Sequence, residues 1–407
     1  MEASGTGERT RLPLAIAVAV VAAGAATFLL WPRNGVIDPA AVDAKAYFTA
    51  RQLQRAEDFR GLQRWIGAGG LVVSTGGLVL LAARPPRVLD RLGRRPILGA
   101  AAAAAGISVL LVAVDLPLSA WAQQRSRDVG LSTQAWPDWL GDLGKTAAIG
   151  AVFAAAGGAL AIALVRRFPR HWWAPAAVVV TAFGVITIWL FPVVIDPLFN
   201  DFQKLPPGQT RSEVLELARK SGVNVGQVYR VDASRRTTAA NAYVNGLGRS
   251  KRVVLYDNLI DHFPRDQVRS VVAHELGHQK HDDLLRGLAW LALVAPAGTF
   301  CAQALTERFA RGRAGPAMLP AIALAVSLVA FGLGTASNVL SRQVEASADS
   351  FSLHVDGHPR AFIAFQRDLA LRNVSDPDPP AAWQFLFGTH PTGVQRIGIA
   401  KAYEQSH

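Results

Sequence analysis

A chain of 407 residues could form two or three soluble domains, but 51% of this one is hydrophobic and only 18% is charged. That balance, with a mean hydropathy of +0.22, excludes an all-soluble protein and points to bilayer crossings of about 20 apolar residues each. The net charge of +12 does not signal nucleic acid as a partner, because the arginines sit in short segments between apolar runs and no basic-and-aromatic module accompanies them.

In chain order, seven segments have the length and apolarity of crossings: 12–31, 65–83, 96–115, 146–165, 173–195, 286–305 and 317–337. Arg9 and Arg11 ahead of the first run also fit a signal peptide, but its length and its Leu-Leu-Trp-Pro ending favour a retained crossing. Ala and Gly dominate the third and fourth segments, which suits close helix packing in lipid. Trp172, Trp173 and Trp189 lie near segment ends, where indole rings favour the membrane interface. Cys301 falls inside the sixth segment and is the only cysteine, so neither a disulfide framework nor a Cys-based metal site is expected. Arg84, Arg87, Arg91, Arg94 and Arg95 crowd the second loop, Arg166, Arg167 and Arg170 the fourth, and Arg308, Arg311 and Arg313 the sixth. The positive-inside rule then places the N-terminus inside and the polar segments outside.

The only long polar stretch is 197–285. Thr210 and Glu213 have the spacing of a capping box at the head of a helix that ends at Gly222. Val228–Val231 reads as a strand, and Ala242–Leu247 with Arg252–Tyr256 as a hairpin around Gly248-Arg249-Ser250-Lys251. Such a hairpin can pair with an extended substrate or can simply brace the following helix; pattern alone leaves both open. The expected organisation is a membrane region over 1–196, the polar segment over 197–285, a two-crossing hairpin over 286–340 and a C-terminal part over 341–407.

The chemistry concentrates in His274-Glu275-Leu276-Gly277-His278. Val268, Val271, Val272 and Leu276 have helical periodicity, and Pro264 suits the helix start. On that helix His274 and His278 stack one turn apart and can grip one metal ion, while Glu275 beside them can take a proton from water activated there. Two histidines leave a catalytic metal site one protein ligand short. The best third ligand is Glu345, which shares a helical face with Arg342 and Asp349 just after the last crossing. Asp349 can fix the tautomer of a ligand histidine, and Arg342 can steady the carboxylates or an oxyanion. His281 continues the first helix too far along to reach the same ion. His390 precedes a helix start, with Arg396 two turns on, and can donate to a reaction intermediate. The expected cofactor is one Zn2+ per chain.

An ordered set of motifs extends this reading. Ile195-Asp196-Pro197-Leu198-Phe199-Asn200 and Leu205-Pro206 come first, followed by Val231-Asp232-Ala233-Ser234-Arg235-Arg236 and Asn241-Ala242-Tyr243-Val244-Asn245-Gly246. Arg252-Val253-Val254-Leu255-Tyr256-Asp257 precedes the metal helix, and Ser341-Arg342, Glu345, Asp349 and His390-Pro391 to Arg396 follow the last crossing. In this order the chain resembles the M48 zinc metallopeptidases, and among them the Ste24-like CAAX prenyl protease group. The resemblance implies a mainly α polytopic membrane protein, with about seven transmembrane helices around a large chamber and a zincin-like α+β metalloprotease domain. It implies zinc on His274, His278 and Glu345, Glu275 as general base, and Asn241 on the substrate with His390 beside it. The expected activity is a membrane-embedded zinc endopeptidase acting on peptide or protein substrates, membrane-associated ones included, with the lipid bilayer as its surroundings. Where the family has Asn-Ala-Tyr-Phe-Tyr-Gly, this chain has Asn-Ala-Tyr-Val-Asn-Gly, which alters the expected substrate groove.

Two readings from other classes compete. An ion transporter could use the His/Glu cluster as a pathway, but the crossings carry almost no charge in their middles and show no two-half repeat. A catalytically silent membrane scaffold would not need the complete set of metal ligands and base.

Overall fold

A computed structural model of the chain describes residues 4–245 and 251–407. Its first helix, α1 (Ser4–Leu29), buries Ala15, Ala19, Ala23 and Ala26 at helical spacing. These small side chains meet Ala297, Cys301, Trp290 and Leu340, and in lipid such close approach is what holds helices together. The helix is an integral wall of the bundle. α2 (Ala50–Ala83), the short α3 (Val88–Leu92), α4 (Pro96–Asp128), α5 (Trp136–Arg167) and α6 (Trp173–Leu190) follow. α6 leads into a π-turn, Phe191–Ile195, that contains Pro192.

The polar stretch comprises β1 (Phe202–Lys204), α7 (Gln209–Lys220), β2 (Gln227–Val231), β3 (Ala242–Asn245), β4 (Arg252–Tyr256), α8 (Asp257–His262) and α9 (Arg265–Lys280). After it come α10 (Asp283–Ala310), α11 (Leu319–Asp356), α12 (Pro359–Arg372), α13 (Ala381–Phe387) and α14 (Gly393–Ser406). The architecture is mainly α with one small sheet.

Among the described residues, seven helices are long and apolar enough to cross a membrane: Arg11–Leu29, Ala50–Ala83, Pro96–Asp128, Trp136–Arg167, Trp173–Leu198, Asp283–Ala310 and Gly315–Asp356. They coincide with the seven expected segments but run past several expected ends, because polar turns continue the same helices beyond the apolar stretch. The extreme case is α11, whose 38 residues extend about 57 Å at 1.5 Å per residue, against a hydrocarbon thickness of about 30 Å. It stops at Gly357, which takes the left-handed conformation at φ 71° that glycine adopts without strain. The Arg-rich connections α2–α3–α4 and α10–α11 pack together through Leu89, Ala310 and Met318, at the end of the bundle opposite the sheet.

Two expectations are corrected. No capping box forms at Thr210 and Glu213: α7 begins two residues earlier, with Gly208 at the cap position, so Thr210 lies inside the first turn. Glu213 instead accepts from Gln209 Nε2 at 3.0 Å. Trp172 is not an interfacial ring; it is 5% exposed, because the head of α6 docks onto α10, where Thr299 Oγ1 donates to the Trp173 carbonyl at 2.9 Å. Trp189, in contrast, is well exposed.

The sheet has the order β1-β2-β4-β3. β3 and β4 form the expected antiparallel hairpin, in register from Ala242 opposite Leu255 to Asn245 opposite Arg252. The expected end of the first strand at 246–247 and 248–250 of the expected turn lie outside the described residues. β3 is an edge strand. β4 is covered on both faces, with Val253, Val254 and Leu255 fully buried. Val253 and Leu255 join Val268, Val272 and Leu276 of α9, Leu217 of α7 and Phe365 of α12 in one core, which fixes α9 against the sheet.

Candidate active site

α9 begins after Pro264, as its sequence predicts. Its apolar stripe faces the core, and that orientation turns His274 and His278 to the opposite side. Their rings stand perpendicular with centroids 4.8 Å apart, and the two Nε2 atoms approach to 3.2 Å. Glu345 arrives from α11: its Oε2 lies 3.2 Å from His274 Nε2 and its Oε1 3.5 Å from His278 Nε2. One ligand atom from each of the three lies within 4.8 Å of the others. Gly277 permits this meeting of helices, because a Cβ there would sit 3.1 Å from Phe351 Cδ1 and 3.2 Å from Ala348 Cα of α11. The expected convergence of His274, His278 and Glu345 is present.

Each imidazole is oriented from behind. His274 Nδ1 lies 2.8 Å from Oδ1 of Asp349, which is fully buried. Arg396 holds that carboxylate with two bonds, Nε to Oδ2 at 2.8 Å and Nη2 to Oδ1 at 2.5 Å. His278 Nδ1 meets Asp283 Oδ2 at 2.9 Å. Asp283 is not singled out by the sequence; the signal is a carboxylate five residues after the second histidine of the pair, across a chain reversal. The reversal is made by Asp282, which takes the left-handed conformation at φ 51°, one that Asp tolerates better than most residues. Replacing Asp283 with Ala should weaken metal affinity by roughly 10–100-fold, the usual cost of losing such a partner. Metal-buffered titration of the purified variant measures it.

The donors fit a metal cation. With each Nδ1 directed to a carboxylate, the facing Nε2 atoms and the Glu345 oxygens form a cluster of acceptors. Glu345 Oε2 is buried with no hydrogen-bond partner. Burial alone would lower the pKa of His274, yet Asp349 and Glu345 outweigh it and raise the value to about 10. The same carboxylates favour positive charge at the cluster, that of a metal cation included. At zinc–nitrogen distances of about 2.0–2.1 Å, tetrahedral ligation separates two ring nitrogens by roughly 3.3 Å, close to the 3.2 Å observed.

Glu275 lies beside the cluster. Burial raises its carboxyl pKa, against the opposing pull of His274 and His278, and a base tuned upward works closer to neutral pH. His390 Nε2 is 3.4 Å from Glu345 Oε1, and its carbonyl accepts from Gln384 Nε2 at 2.6 Å. Arg342 does not touch the carboxylates. It points the other way along α11, toward α13, and its Nη1 donates to the carbonyls of Gly388 at 2.6 Å and Gln384 at 3.2 Å, bracing the turn that presents His390. Asn241 sits at the head of β3, where its carbonyl accepts from Tyr256 N at 3.1 Å and its side chain is exposed. His281 lies apart, with its Nδ1 3.3 Å from Ser347 Oγ.

Two cavities open on the cluster. One, of about 490 Å³, lies toward α12. The other, of about 610 Å³, runs along β3 and the end of α6. Asn241, His274, Glu275 and His390 border both.

Comparison with known proteins agrees with this arrangement. Residues 205–404 match the family model of peptidase family M48, and residues 70–201 match that of the CAAX prenyl protease N-terminal region of five membrane helices. The uncharacterized metalloprotease YhfN of Bacillus subtilis is 31% identical over 309 residues, 74% of this chain and 72% of that protein. A CAAX prenyl protease 1 homolog of Arabidopsis thaliana is 30% identical over 227 residues, 53% of this chain and 52% of the relative. The crystal structure of S. mikatae Ste24p shares the fold with a TM-score of 0.70 over 96% of this chain and 98% of that one, at 19% identity. The chain belongs to peptidase family M48 and is a multi-pass membrane metallopeptidase.

Proposed function

We propose that the metal is zinc, held by His274 Nε2, His278 Nε2 and Glu345, and that the protein cleaves internal peptide bonds with Glu275 as general base. The observation that carries this is the meeting of two imidazoles and a carboxylate from different helices, with both rings oriented from behind by Asp349 and Asp283. When bound, zinc supplies Lewis acidity that makes water acidic near neutral pH and polarises a peptide carbonyl.

The protein's own residues do the rest. Glu275 accepts a proton from the attacking water and delivers it to the leaving amine. His390 donates to the oxygen of the tetrahedral intermediate, in a position fixed by Arg342 through the Gly388 carbonyl. Arg396, bound to Asp349, keeps the His274 ring in place. Asn241 contacts the substrate at the border of the two cavities.

The substrate is a peptide or protein segment in extended form. Asn241 bonds inward to Tyr256, so the alternation of an antiparallel pair turns the backbone groups of Ala242 and Val244 outward. The Val244 carbonyl accepts from Gln279 Nε2 at 3.2 Å, leaving Ala242 to pair with a peptide laid over the cluster. The division at 196/197, 285/286 and 340/341 belongs to the same reading. So does an active site facing away from the cytoplasm, which the Arg-rich connections at the opposite end of the bundle support.

The test is cleavage of a peptide library by detergent-purified protein. Cleavage should stop on treatment with a zinc chelator and return with added zinc. Cleavage that survives complete metal removal would refute the proposal, and the absence of any cleavage would favour a transporter or scaffold.

A further inference from the structure

The cavity toward α12 contains a feature that the hydrolytic machinery does not use. One wall is apolar, formed by Val271 of α9 with Phe362, Phe365 and Leu369 of α12, while Thr237, Tyr256, Ser270 and Asn373 add polar groups to the lining. Among them lies Gln366, only 6% exposed, whose buried Nε2 has no hydrogen-bond partner. The amide nitrogen of neighbouring Gln267, in contrast, is paired, its Nε2 donating to Asp368 Oδ2 at 2.9 Å. A buried carboxamide without a partner is costly, and this one belongs to the lining of a cavity that shares Asn241, His274, Glu275 and His390 with the cluster.

We infer that this cavity is the subsite for a side chain flanking the scissile bond, and that Gln366 makes it select a long residue with an apolar shaft and a hydrogen-bonding tip, tyrosine above all. The inference rests on the peptidase reading. The two cavities meet at the cluster, so a peptide whose scissile bond lies at the junction places one flank in each. An aromatic shaft packs between Phe362, Phe365 and Leu369. Its hydroxyl can donate to or accept from the carboxamide, which offers both functions. Phenylalanine fills the same space but leaves the amide unpaired, and a pocket containing an unpaired polar group discriminates against the occupant that cannot pair with it.

The experiment uses the full-length protein and peptides that differ only by Tyr or Phe at each position flanking a cleaved bond, with products located by mass spectrometry. At one flank, wild type should favour Tyr by roughly tenfold in kcat/KM, the size of one net hydrogen bond. Gln366→Leu and Gln366→Met should both bring that ratio toward one. Two variants are used so that a folding defect in either leaves the other informative. A wild type indifferent to the hydroxyl at both flanks, or a preference that survives both substitutions, overturns the inference while the peptidase reading stands. If wild type cleaves none of the peptides, both fall together.

Discussion

Glu275→Gln should lower kcat by roughly 10²–10⁴-fold, the usual contribution of a positioned general base, with zinc content and melting temperature unchanged. The substitution keeps the shape of the side chain and removes only its ability to accept a proton. Glu275 is not one of the three clustered ligands, so the variant should retain its metal. Elemental analysis of the purified variant, together with turnover of a quenched peptide, separates the two effects. A variant that cleaves at the wild-type rate would remove Glu275 from the reaction.

His278→Ala should act at the other level and lose the metal itself. The substitution deletes one of three donors and leaves Asp283, which meets the ring at 2.9 Å, facing an empty space. A ligand that binds only the folded state stabilises it by about 2.7 kcal/mol at one hundred times its Kd, so zinc should raise the melting temperature of wild type and not of the variant. Stoichiometric zinc in purified His278→Ala would exclude the residue as a ligand.

Much of this was legible in the sequence because the signals are local. The seven crossings are runs of apolar residues, and the pairing of His274 with His278 follows from the helical repeat alone. Glu345 required more: an acidic residue at the right distance past a crossing, on a face shared with Asp349. What stayed hidden depends on side-chain direction or on backbone turns. Asp283 reaches His278 only because Asp282 reverses the chain at φ 51°. Arg342 shares a face with Glu345 in projection, yet its long side chain runs to the carbonyls near His390. The capping box at Thr210 fails because Gly208 opens the helix two residues early. Gly277 reads as a spacer within the motif, and only packing shows that it sets how closely α9 approaches α11.

The unbroken course of α11 has a further consequence. A single rod both anchors the protein in lipid and delivers Glu345 and Asp349, while the polar stretch ahead of α10 contributes His274, His278 and Glu275. No water-soluble excerpt of that stretch holds all three clustered side chains. On the proposed ligand set, shearing the molecule at the membrane surface would leave a fragment with two of its three donors, so the chemistry belongs to the embedded whole.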